Sequence, residues 1–334
     1  MRPRHRLRQV PMARKAVLSS AMSDDEEPEI DRISRKLAAE NASRTTEQFD
    51  FQSIARDLEG VHQPILDAIW KAAGPEKGYP HILALTVTIS KGTWESIRFL
   101  SLEQPKIGWL RQFVYSVPPL ARTLLDSLFN VIFMFDNPSV NVHWFLVGGW
   151  TDQNRAHRLF RDRYGTEAEW KTWLDACEAN IKQTEDHLVG ITDAERKSPT
   201  KPPLGYWPNP GKMGNKDCAI RDPGREAFLK YVNAWFYKWL SGDSHLSLTG
   251  LLNRGGYLLP LAAAVDPEEL YRLTRSRFVL TALTIYIALL SEISSELALA
   301  PELARLREIW KKLVVWPDAA DLYGKRYDAL LRQA

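Results

Sequence analysis

From Phe278 to Leu290 the chain is apolar and uncharged, and Ser291 and Glu292 close the run. A run of that length falls short of a bilayer crossing and fits a buried core helix. It lies inside a longer helical segment, about 267–299. Asp266-Pro267-Glu268-Glu269 opens that segment with a cap, a first-turn proline and two acids. Elsewhere apolar residues recur at steps of three and four. Phe51, Ile54, Leu58, Val61, Ile65 and Ile69 form one such stripe, ended by Gly74-Pro75. Pro64 predicts a kink or a split inside it. Leu120, Leu124, Leu125, Leu128, Ile132 and Phe135 form a second, opened by Pro118-Pro119 and closed by Asp136-Asn137-Pro138. Trp170, Trp173, Leu174, Cys177, Ile181 and Leu188 form a third, in a helix over about 167–191. There is no hairpin signal, no sustained alternation and no internal repeat. The expected fold is all-α, a multi-helix bundle of about ten helices packed around 116–136, 225–241 and 267–299.

The remaining elements are read in the same way. Ile30, Ile33 and Leu37 mark a short amphipathic helix. A helix is expected over 81–102, although Thr86-Val87-Thr88-Ile89 has strand-like composition. Another covers 141–164, weakened by Gly148-Gly149. Pro301 starts a helix that ends before Trp316-Pro317, and Asp318 caps the last one. Residues 192–224 form one long Pro/Gly-rich loop. The expected organisation is a disordered arm, basic then acidic, over 1–28, and a single helical domain over 29–334. Its helices over 300–334 pack on the bundle.

Hydrophobic residues make up 45% of the chain and charged residues 25%, enough for a sizeable core. Cys177 and Cys218 are the only cysteines, too few for a disulfide framework, so a cytoplasmic setting is the default. The formal charge of +3 comes from the arm. Residues 1–21 hold six basic residues and no acid, so the rest is slightly acidic. That argues against broad electrostatic binding of nucleic acid by the body. The arm lacks the apolar core of a signal peptide, and Met22-Ser-Asp-Asp-Glu-Glu-Pro reads as an alternative start.

The candidate chemistry centres on Tyr231 to Gly250. Asn233, Tyr237 and Ser241 are four apart, one polar line on a helix flanked by Ala234, Trp235, Phe236, Trp239 and Leu240. Gly242 is expected to end that helix, and Asp243 or Ser244 to cap the next. His245 then falls in a first turn, where the helix dipole keeps its imidazole neutral and usable as a general base. A second polar line, Arg122, Asp126 and Asn130, runs along the 116–136 helix. Arg122 is expected to pair with Asp126 one turn on. Two such lines facing each other satisfy one another, or line a pocket for an anion. The plain alternative is hydrogen bonding between packed helices, with no chemistry.

The loop gives a second constellation. Over 196–225 it carries Arg196, Lys197, Lys201, Lys212, Lys216, Arg221 and Arg225 against Asp217 and Asp222. With Tyr206 and Trp207 interleaved, it suits phosphate contacts and stacking on a base. Otherwise it is a solvated loop. The binding candidates are therefore Trp207, Lys212, Arg221 and Arg225, with Asn130 and Asn233. On the first of these readings the expected partner is a nucleic acid or a nucleotide at this loop. No membrane partner is expected, and a homo-oligomer is left open. No metal and no other cofactor is expected. Glu59-Gly60-Val61-His62 is a single Glu-x-x-His, whereas a di-iron bundle needs two. Glu185, Asp186 and His187 point to different helix faces. His143 and His157 have no carboxylate pattern beside them. Cys177 reads as core, and Gly205 to Gly214 lacks the Gly-Lys-Ser/Thr of a phosphate loop.

Leu120-Ala121-Arg122-Thr123-Leu124-Leu125-Asp126, then Trp207-Pro208, then Tyr237-Lys238-Trp239-Leu240-Ser241 with His245, resembles a bacterial all-helical family of unknown function. Its members carry an Arg-x-x-x-Glu-like helix and a later Tyr-x-x-x-Ser-x-x-x-His element. The likeness covers roughly residues 112–260, and Asp126 stands where Glu is expected. More distantly the chain is similar to HEPN domains, which often cut RNA without metal through an Arg-x(4–6)-His motif. That resemblance implies His245 as acid/base and an arginine as phosphate clamp, in stress or phage defence. The nearest match is Lys238-x6-His245, and lysine lacks the bidentate fork of arginine. Arg122 would supply that charge from another helix. The catalytic candidates are thus His245, Arg122, Asp126, Tyr237, Ser241 and Lys238, for a metal-independent ribonuclease.

Overall fold

The computed structural model describes residues 51–72, 79–103, 114–186, 197, 207–213, 220–244 and 267–332. Of these, 92% are helical and none lies in a strand, so the fold is an all-α bundle of about ten helices. In chain order these are α1 (Phe51–Ala72), α2 (Tyr79–Arg98) with a π turn at Phe99–Glu103, and α3 (Val117–Asp136). Next come α4 (Pro138–Tyr164), a 3-10 turn at Ala168–Trp170, and α5 (Lys171–Asp186). The one-turn α6 (Pro210–Met213) follows, then α7 (Pro223–Val232), joined through a π turn at Asn233–Tyr237 to α8 (Lys238–Ser244). The chain closes with α9 (Pro267–Glu296), α10 (Ala300–Leu313), α11 (Pro317–Leu322), a π turn at Tyr323–Tyr327, and α12 (Asp328–Arg332). The expected helix at Ile30–Leu37, the Asp266 cap, His245 and most of the 192–224 loop lie outside the described residues.

The bundle is built around α9. Every residue from Phe278 to Ser294 is buried. A helix apolar on all sides needs helices on all sides. α3 packs along it, and α2, α10 and the C-terminal helices close the remaining faces. By length and composition the stretch from Tyr271 to Glu296 would cross a membrane, but 94% of its apolar window is buried inside the protein. Some of the polar groups on α9 are satisfied locally. Thr284 and Ser291 hydroxyls donate to the carbonyls four residues back, and Ser291 Oγ accepts from the Trp310 indole at 3.1 Å. Glu292, almost fully buried, takes a two-pronged bond from Arg326, which fastens the last helices to the core. α9 ends on Ala298 at φ 52°, with the Leu299 amide returning to Ser294 O at 2.9 Å. A residue without glycine's freedom thus holds a left-handed helix end.

Local expectations fared unevenly. The strand-like middle of α2 is helical, with Thr86 and Thr88 hydroxyls donating to the carbonyls of Ile82 and Ala84. Gly148-Gly149 does not weaken α4: a Cβ on Gly148 would sit 3.0 Å from Trp207 Cβ, so the glycine admits that side chain. Gly242 does not end its helix, which continues to Ser244, whose hydroxyl donates to Leu240 O. Asp318 is not the cap of α11. Trp316 holds that place and Asp318 lies in the first turn. The third stripe is only partly core: Leu174 is buried, Cys177 half-buried, and Trp173 is 42% exposed.

Pro64 does not split α1, which runs as one helix from Phe51 to Ala72. Its ring removes the amide that would bind the carbonyl of Gly60. Arg305, reaching over from α10, donates its Nη1 to that carbonyl instead. The helix therefore tolerates proline because a neighbour satisfies the orphaned acceptor. Arg305→Ala is expected to destabilise the protein by about 1–2 kcal/mol in urea unfolding. In a Pro64→Ala background, where the amide returns, the same change should cost clearly less; equal costs would refute the pairing.

Candidate functional site

The polar line of α3 faces α7–α8 and the Trp207 segment. Arg122 Nε donates to Asp126 Oδ1 at 3.0 Å, the pairing expected from their spacing. The guanidinium carbon lies 3.4 Å from the ring centroid of Tyr237. Tyr237 in turn meets Phe129 edge-on at 5.9 Å. The two polar lines therefore meet, through stacking of a cation on an aromatic face rather than through a chain of hydrogen bonds. The Arg122 side chain is 16% exposed and that of Asp126 41%. Partial burial pushes the Asp126 carboxyl above its usual range, and the Arg122 bond opposes that shift.

Further along α3 the same face receives the loop. Asn130 Oδ1 accepts from Trp207 Nε1 at 2.9 Å. The Trp207 ring is held edge-on by Phe133 and Phe145, each at 5.1 Å. It is committed to the bundle, where the sequence suggested a base-stacking ring. At the end of α3, Asp136 accepts from the amides of Arg221 and Asp222 at 2.8 and 2.9 Å. Asp222 then caps α7 through the amides of Gly224 and Arg225. Arg225 reaches back to Phe135 O and to Glu296 at 3.3 Å, so it too is spent on packing. Lys212 and Arg221 present exposed side chains.

The other line is altered by the π turn. The Lys238 amide binds Asn233 O, one residue beyond the α-helical partner. Asn233 is buried, Tyr237 and Ser241 are half-buried, and Lys238 faces solvent. Lys238 thus stands beside the Arg122–Tyr237 contact in sequence but outside it. His245 follows α8 directly and lies outside the described residues. Sequence reasoning missed the exposure of Trp235, 69%, because the residue sits in an apolar run.

Among the described residues no group of three or more His, Cys, Asp or Glu is placed to hold a metal. Glu59 is exposed while His62 is buried. A cleft of about 360 Å³ opens between α4 and α5, lined by His157, Arg161, Glu167, Lys171, Asp175 and Glu178 among others. None of its lining residues belongs to the two polar lines. Searches of family models, curated proteins and solved structures found no match to this chain.

Two measurements check this geometry. Tyr237→Phe keeps the ring under Arg122 and should leave the urea midpoint nearly unchanged. Tyr237→Leu should cost about 1–2 kcal/mol, less when Arg122 is already Met. His62, 4% exposed with Nδ1 3.3 Å from the Tyr286 hydroxyl, has its pKa lowered to about 4, first by burial and then by Lys91. The folded protein holds this ring neutral while the unfolded chain protonates it near 6.5. Its contribution is complete above that value and is lost as pH falls toward 4. Between pH 7 and pH 5 the wild type should lose about 2 kcal/mol that His62→Gln does not lose.

Proposed function

We propose that this chain is a cytoplasmic helical module that binds a nucleic acid or a nucleotide in a HEPN-like manner without cutting it. The observation that supports binding over cleavage is the placement of Arg122. Its Nε is bonded to Asp126 and its face is laid on Tyr237. A guanidinium held this way is part of the scaffold and is poorly placed to grip a phosphate in transfer. Binding then falls to cations that face solvent, among them Lys212 and Arg221 of the basic loop. A role in stress or phage defence accords with the HEPN likeness.

A second reading is a metal-independent ribonuclease, with His245 as acid/base and Arg122 as clamp. It draws on Asp126, a half-exposed carboxyl with a raised pKa beside that arginine. One set of assays separates the two. Labelled single-stranded RNA is incubated in EDTA with wild type, with His245→Ala and with the double variant Lys212→Gln/Arg221→Gln. Binding without cleavage, unchanged by His245→Ala and weakened about three- to tenfold by the double variant, is the expected result. Cleavage that His245→Ala abolishes would establish the ribonuclease. Absence of binding to RNA, DNA and nucleotides at low salt would leave a non-catalytic interaction module whose polar lines are structural.

A further inference from the structure

Helix α7, the π turn and α8 carry Tyr231, Trp235 and Trp239 at steps of four. In a plain α-helix residues four apart drift slowly around the axis, and the π turn between them unwinds part of that drift. Tyr231 and Trp239 are nonetheless half-buried against the core, and Trp235 between them is exposed. The two end rings are already engaged by cations from other helices. Arg277 of α9 lies over Trp239 at 4.2 Å, and Trp239 rests on Phe278 at 5.8 Å. Lys325 lies over Tyr231 at 4.7 Å, and the Tyr231 hydroxyl is bonded to Asp321. The middle ring, Trp235, is 69% exposed, more than any other large hydrophobic side chain among the described residues.

We infer that Trp235 is a stacking platform for a base of a single-stranded nucleic acid, whose phosphates are received by Lys238 and Arg277. This rests on the binding reading proposed above and names a surface for it. A π-face open to solvent with cations one turn away is the arrangement that takes single strands without sequence preference. Lys238 stands three residues after Trp235, and Lys238 and Arg277 are exposed as Trp235 is. The strand runs toward Trp239 rather than toward Tyr231. At the Tyr231 end Asp321 lies within 4.0 Å of Lys325, and its carboxylate repels a phosphate. Trp235 also lies within the π turn Asn233–Tyr237, a kind of irregularity found frequently at functional sites.

The test is fluorescence anisotropy with a labelled oligo-uridine, measured across salt concentration. Trp235→Ala should weaken binding about tenfold or more, and Trp235→Phe, which keeps an aromatic face, should recover most of it. Lys238→Gln and Arg277→Gln should each lower the slope of log affinity against log salt by about 0.7. Trp235 is exposed, so the melting temperature of Trp235→Ala should match the wild type and exclude misfolding as the cause. Wild-type binding with Trp235→Ala equally tight overturns this inference and leaves the binding reading standing. A wild type that binds no oligonucleotide at low salt overturns both.

Discussion

A helix of 30 residues with no solvent face through its centre sets the terms for everything else in this protein. Burying Phe278 to Ser294 on all sides requires a shell of helices, and the shell must come from both ends of the chain. Each buried leucine or isoleucine contributes about 1.5–3 kcal/mol relative to exposure, so the shell is held mainly by apolar contact. Its few polar ties act as register marks. Ser291 with Trp310 and Glu292 with Arg326 fix where α10 and the C-terminal helices sit along α9. A buried ion pair of this kind adds little net stability, but breaking one partner would strand the other.

α3 then translates that core into a surface. One side lies against α9, and another margin offers Arg122, Asp126 and Asn130 at steps of four, then Asp136. Each of these groups receives something from outside the helix or within it: the Tyr237 ring, the Trp207 indole, the amides that precede α7. Trp207 and the residues just before α7 are therefore pinned at defined points, and α7 starts where Asp136 holds it. The same economy explains Gly148. Its missing side chain lets Trp207 settle between α3 and α4. What looked like a weakness in one helix is the seat for a residue from a distant segment.

The sequence displayed the helical class and the core stripes plainly, because apolar spacing of three and four is dictated by the helix itself. It displayed the Arg122–Asp126 pair for the same reason: the interaction lies within one helix. It concealed whatever depends on a partner far along the chain. Pro64 read as a break because Arg305, which relieves it, is distant in sequence. Trp207 and Arg225 read as free to meet a ligand because the carbonyls, carboxylates and rings that occupy them belong to α3, α4 and α9. Gly242 read as a helix end because glycine suits a left-handed residue, yet here the helix continues. The π turn could not be seen, since steps of four residues are compatible with both winding patterns.

That hidden turn bears directly on how the site is understood. In unbroken α-helix the line Asn233–Tyr237–Ser241 would drift across the face. Within the turn Tyr237 lies under Arg122, and Trp235, two residues away, is exposed on the other side. The helix thus carries two populations of aromatic side chain. Those on the inner side are consumed by guanidinium stacking and core packing, and the one on the outer side is left uncovered. A helix terminus or a loop can present a ring to solvent at little cost. An amphipathic helix does the same from its solvent face, where Ala234, Trp235 and Lys238 are all exposed.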